Sequence, residues 1–440
     1  MPVGSASDDF GFPRVLANAK AARAYLHRMD TITLCGMSAY QALRIPPPVL
    51  WLALLACAES PSRPALGGIG HTLLLLEALG VRRPIEVLSP TPGQRTHTSR
   101  LKGRSLRLPQ GDQSTTPLVA KAVVRACGSD PLRGLQAPSP HAALLTLAPQ
   151  LGSIRLALAA SELMGSFAVY RPSPTIQACL DAFAGRVSPP SPSALDGSLL
   201  PTERAAGMSF RFLESGRCPD ELQRLLTHEV RDGGWRQAVD PNGMPTDLWR
   251  RDPFLTPRSL MQYAEEARSL HGGRILANGA RMALANTASP FEAQAGILLG
   301  EDRRRGGEGL GRPTCNHRIT LGTRARAIAR QSVCYCDLLF EGSGRTRPLD
   351  IECHSRRWHD AGIEKRISDA NRQTALAHMG INTRLLTFET VADDDAFATF
   401  VETCRMDLGL VTPPLTSDVL QRRREVLRAK VLVDWETFGT

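Results

Sequence analysis

Two alternating segments late in the chain, SVCYCDLLF at 332–340 and LDIECHS at 349–355, are separated by the Gly- and Arg-rich EGSGRTRP. Alternation with a period of two marks strands that show different chemistry on their two faces, and a short glycine-containing connection joins such strands as a hairpin. HRITLG at 317–322 reads as a preceding strand. Further on, IEKRISDANRQTALAHMG is an amphipathic helix stopped by Gly380, NTRLLTF is a strand, and AFATFVETCRMDLGL is a closing helix. In front of them TASPFEAQAGILLG starts a helix with Ser289 as N-cap and Pro290 at the first helical position. The order is helix, three-strand meander, helix, strand, helix. A helical crossover makes the last two strands parallel neighbours, so the segment predicts a mixed sheet with helices against it.

This pattern places chemistry on defined faces. Val333, Tyr335 and Asp337 share one face of their strand, while Asp350, Glu352 and His354 share one face of the next. The hairpin sets those strands side by side, and a suitable register brings Asp337, Glu352 and His354 together. Two carboxylates about 4 Å apart repel by about 1–4 kcal/mol, and a divalent cation turns that repulsion into binding. Mg2+ or Mn2+ needs hard oxygen ligands and retains waters, so two carboxylates and a phosphate oxygen suffice. The expected chemistry is metal-assisted phosphodiester hydrolysis, with a nearby His as base or water-positioning group.

Composition bounds the rest. A chain of 440 residues accommodates two or three domains. The net charge of +10 points to a polyanionic partner, although base-composition bias yields the same arginine-rich pattern. Residues 301–330 hold eight Arg against three acids, which reads either as contact with a phosphate backbone or as a solvated loop and strand edge. The N-terminal residues contain no secretory signal, and the apolar run VLWLALLACA falls short of a membrane span. A cytoplasmic protein is expected. Ten scattered cysteines without a CxxC pair near Cys315, Cys334, Cys336 and Cys353 favour reduced core thiols over a zinc site.

Upstream, TITLCGMSAYQALRIPPP reads as a short strand, a helix with Ser38 as its cap, and a proline stop; PIEVLSP and SLRLP read as basic strands; PLVAKAVVRACGSD and HAALLTLAPQLGSIRLALAASELMG read as helices. The prolines and serines between Pro172 and Pro201 suggest a linker, and LMQYAEEARSLHGG a helix stopped at Gly272 and Gly273. Residues 233–251, with two tryptophans, give no clear local pattern. The expected organisation is an N-terminal segment at 1–30, an α+β region at 31–171, a linker and helical region at 172–283, an α/β domain at 284–412, and a helical tail at 413–440.

The runs CDLLF, IECHS with RRWH, and RISDANRQTALAHMGINTRLLTF resemble the very-short-patch-repair-like endonuclease domain of the PD-(D/E)XK superfamily. The resemblance covers about residues 287–411 and implies a restriction-endonuclease-like sheet. It matches Asp337 and Glu352 to the metal-binding acids, and Glu292 to an acid of the first helix. His354 stands where that superfamily carries lysine or an acid, so His354 or His359 is the expected base. Arg357 and Lys365 are further candidate cations. Asp369 and Arg372 match helix positions that face the site, and Arg324, Arg326, Arg357 and Arg372 are the expected DNA contacts. A weaker likeness joins LCGMSAYQALRIPPP, the basic strands and PLVAKAVVRAC to the middle of AbiEi-type antitoxin proteins, without their winged helix-turn-helix. Three functions follow: a Mg2+- or Mn2+-dependent DNA endonuclease, an inactive nuclease-fold DNA-binding protein of antitoxin or repressor type, or a scaffold whose middle region binds another protein.

Overall fold

The computed structural model describes residues 32–58, 69–89, 98–109, 116–117, 135–215, 220–227, 234–240, 242–342, 346–354, 363–411, 417–435 and 437–438. Mixed α/β structure divides into two compact units, Met1–Leu147 with Pro172–Gln223, and Ala148–Arg171 with Arg224–Thr440. The second unit takes in residues on both sides of 284–412.

In the first unit, Ile32–Thr33 pairs in parallel with Leu135–Ala137, which pairs antiparallel with Thr116–Pro117. A second pair, Ile85–Leu88 with Leu101–Arg104, is parallel. The basic strand is partly matched from within. Buried Glu86 takes Lys102 at 3.6 Å and the guanidinium of Arg104 as partners. Residues 105–109 lie outside any strand, and the expected helix beyond Pro117 falls outside the described residues. Ser38 does not cap its helix. That helix, Gly36–Leu43, starts at Cys35, and the buried Ser38 hydroxyl instead accepts from Glu86 N–H at 2.9 Å.

The Pro- and Ser-rich stretch also departs from expectation. It contains helices Pro174–Phe183 and Pro192–Gly197, each opened by a serine cap, Ser173 or Ser191, with proline in the first turn. Serine followed by proline supplies the cap acceptor and a φ already suited to the helix, so the pair starts helices as readily as it fills loops.

Among the described residues one helix, Pro140–Met164, is long and apolar enough to cross a membrane; 61% of its apolar window is buried within the protein. Gly152, at φ 69°, interrupts it. Gly36–Leu43 and Pro47–Ala58 reach such a length only jointly, across a 98° bend.

The second unit holds the candidate acids. Among its elements are α1 (Gly273–Met282), α2 (Pro290–Gly300), β1 (Thr314–Thr320), α3 (Thr323–Ala329), β2 (Val333–Phe340), β3 (Leu349–His354), α4 (Ile363–His378), β4 (Asn382–Thr387), α5 (Asp394–Leu408) and α6 (Asp418–Val431). The sheet order is β4-β3-β2-β1, with β1, β2 and β3 antiparallel and β3 and β4 parallel. Residues 323–329, within the arginine-rich stretch that also reads as a solvated loop and strand edge, form helix α3. Ala325 is fully buried, and Ile328 and Ala329 pack with Leu321, Cys334, Cys336, Ala375 and Leu376.

On α2, residues 291–299 are all buried, so this helix is a core rod. Gly296 lets it approach β2: a Cβ there would overlap Leu284 and come within 3.2 Å of Leu338. Gly296→Ala is therefore expected to cost about 1 kcal/mol net in urea unfolding, overpacking against Leu284 and Leu338 outweighing the gain in helix propensity; a clear stabilisation would refute this close approach. The Gln294 amide, on the same helix, donates to Val431 O and Val433 O at 2.9 and 2.8 Å, tying the C-terminal helix to the core.

Residues 236–250, locally unreadable, form a hairpin, Arg236–Val239 against Pro245–Arg250, joined by Phe167–Val169 in an antiparallel sheet. Its turn is fastened by the Asp240 carboxylate, which accepts from Asn242 and Met244 N–H, with Gly243 at φ 79°. Helix Pro257–Glu266 ends before the glycines, and left-handed Gly272 instead opens α1.

Candidate functional site

The acids sit where β2 and β3 approach α2 and α4. Leu338 pairs with Ile351 and Leu339 with Asp350, and continuing that register sets Asp337 opposite Glu352. Their side chains nevertheless take partners from different layers.

Glu352 is 3% exposed and belongs to α4. Both its oxygens accept from the Arg372 guanidinium, one at 2.7 Å, and Arg372 also donates to the Tyr335 carbonyl at 3.0 Å. A two-pronged pair of this kind is charge-assisted and fixed in direction. Arg372, expected to contact nucleic acid, is thus already committed inside the protein.

Asp337 has a different partner. Its Oδ2 accepts from Cys353 N–H at 2.9 Å. Burial, then the neighbouring charges of Glu292 and Glu352, hold its carboxyl well above the usual range, opposed by the Cys353 hydrogen bond and by Arg372.

Glu292 serves its own helix. Its carboxylate accepts from Ala288 N–H (2.7 Å), the Ser289 hydroxyl (2.9 Å) and the Asn316 amide (2.7 Å), while Ser289 caps the helix in return. Burial pushes Glu292 upward, and those bonds with Arg250 work against the rise. Asn316 reaches it from a left-handed backbone, φ 47°, in the middle of β1. Arg250, which points a guanidinium nitrogen at the Ala288 carbonyl, is itself lowered by burial.

Asp350 was visible in the alternation yet not among the expected ligands. It has no exposed surface, and neither carboxyl oxygen has a hydrogen-bond partner among the described residues. Burial first, then the charge of Glu352, pushes its carboxyl up to about 10. Cys336 beside it is raised for the same reasons, burial and the charges of Asp350 and Glu352.

His354 ends β3, half-buried, paired in register with Thr387. His359 and Arg357 lie outside the described residues, and so do the side chain of Lys365 and the Trp358 ring. Arg324 and Arg326 are exposed on α3, and Arg326 donates to Leu321 O at 2.7 Å.

These commitments decide whether the divalent cation implied by the resemblance fits. Glu292 has its oxygens on donors of its own helix start and on Asn316, Glu352 has both on Arg372, and Asp337 gives one to the backbone. Among the described residues no three of His, Cys, Asp and Glu are placed to share a metal ion. A guanidinium already neutralises the acid that the cation would need, so the donors in this arrangement do not fit Mg2+ or Mn2+.

Comparison with known proteins finds no matching family model, no matching curated protein and no matching solved structure.

Proposed function

We propose that the chain binds DNA through the basic edge of its four-stranded sheet, on a nuclease-type frame whose acid centre is neutralised from within, as an antitoxin- or repressor-type protein. The observation that carries this reading is the Arg372 fork on Glu352, which puts a fixed protein cation where hydrolysis would require a metal. The element order and the opposed Asp337 and Glu352 support the frame. Exposed Arg318 on β1 and Arg324 on α3, with the net charge of +10, support a phosphate backbone as partner.

Two assays on the full chain test it. A labelled DNA duplex followed by anisotropy is expected to bind at low salt and to release as salt rises, and Arg318→Glu with Arg324→Glu is expected to weaken binding roughly tenfold or more. Supercoiled plasmid with Mg2+ or Mn2+ is expected to stay intact. Nicking that disappears in Glu352→Ala would replace this reading with the hydrolytic one.

A further inference from the structure

A second concentration of positive charge lies in the same unit, built from segments far apart in sequence. After α2 the chain makes a short 3-10 turn of three arginines, Arg303–Arg305. Residues 422–424, also three arginines, lie on α6. The two runs meet: Arg423 donates to the Arg304 carbonyl at 2.7 Å, and Arg424 reaches the Glu308 carboxylate at 2.9 Å. Gly306, at φ 97°, makes the meeting possible, because a Cβ there would overlap the Arg423 backbone.

The charge is only partly matched. Glu301 pairs with Arg305 at 3.5 Å, Glu308 pairs with Arg424, and Asp302 is occupied as the cap of the turn. Among the described residues no carboxylate pairs with exposed Arg304, Arg422 or Arg423. The crowding is felt by a neighbour: buried Arg405 is pushed down by burial and then by the charge of Arg303.

Beside the turn a cleft of about 180 Å3 opens at the C-terminal end of α2. Arg281, Arg305 and Arg312 line it, with Glu301 as the acid on its wall. Arg312 is anchored, donating to the carbonyls of Arg281 and Ala283, so its charge is held at the rim. A polar, arginine-edged cleft running into a double arginine run suits a chain of phosphates far better than an apolar ligand.

We propose that the Arg303–Arg305 turn, the exposed arginines of α6 and the adjoining cleft form a second phosphate-backbone site for the same nucleic acid. The inference rests on the DNA-binding reading above. Each arginine that meets a phosphate releases counterions, so the site adds affinity that depends steeply on salt and little on base sequence.

The test uses a fluorescein-labelled DNA duplex long enough to span both basic surfaces, titrated with the full-length chain at several salt concentrations. Arg304→Glu with Arg422→Glu is expected to weaken binding roughly ten- to hundredfold and to lower the slope of log affinity against log salt by about 2. The milder Arg304→Gln with Arg422→Gln, checked by an unchanged melting temperature, is expected to move both quantities in the same direction. The arm with Arg318→Glu and Arg324→Glu separates the two claims. If those changes weaken binding while the 304 and 422 variants bind like wild type, the second site is wrong and the DNA-binding reading stands. If the wild-type chain does not bind the duplex at all, both are overturned.

Discussion

Arg372→Ala is expected to destabilise the unit that carries the four-stranded sheet by about 3–5 kcal/mol at pH 7, because it leaves the Glu352 carboxylate buried without its cation. The Glu352 side chain is 4% exposed and that of Arg372 only 20%, so water cannot take over the guanidinium's role. Adding Glu352→Gln to Arg372→Ala is expected to recover most of the loss, since it removes the stranded charge and keeps the shape. Urea unfolding of wild type, both single variants and the double variant forms a closed cycle. A coupling near zero would mean that the pair is a surface contact and would undo the account of the acid centre.

Asp350→Asn carries the second large effect, and its sign follows from the shift. In the unfolded chain this carboxyl titrates near its model value of 3.8, whereas folded it holds its proton up to about 10. Below pH 4 both states are neutral and nothing is lost. As pH rises from 4 towards 10, the unfolded state gains by ionising and the folded state does not, so Asp350 erodes stability throughout that window. At pH 7 the penalty is on the order of 4 kcal/mol, which the neutral amide escapes. The variant is expected to melt close to wild type near pH 4 and roughly 10 °C higher at pH 7. Melting curves that stay parallel across this range would show that Asp350 is ionised in the folded protein.

The hairpin, the crossover helix and the parallel fourth strand between residues 287 and 411 were readable because alternation and helical spacing are local properties. Helix α3 was hidden by its charge. Its Ala325, Ile328 and Ala329 stand at helical spacing, and that signal was available beneath the arginines. The hairpin at 236–250 also had a local sign, the Asn242-Gly243 turn, masked by the polar strands around it.

The site was readable only as residue types and strand faces. That the strands of Asp337 and Glu352 lie side by side comes from the hairpin; that Glu352 is claimed by Arg372 comes from a helix twenty residues later and the tertiary packing that brings it back. Glu292 was assigned to chemistry on resemblance, whereas its position three residues after Ser289 already described a reciprocal cap. Left-handed Asn316 in the middle of β1 has no local sequence signature.

Gln294 gives the C-terminus a meaning that its position in the chain does not suggest. With a single buried amide spanning the carbonyls of Val431 and Val433, the last helix is joined to the middle of the domain as a latch to a bolt. A chain ending at residue 411 would strand two hydrogens of that amide in an apolar interior and uncover the ground on which Leu427 and Val431 rest. A piece that keeps this anchor therefore reaches past residue 433, and cutting the chain at 411 removes part of the support of its own core.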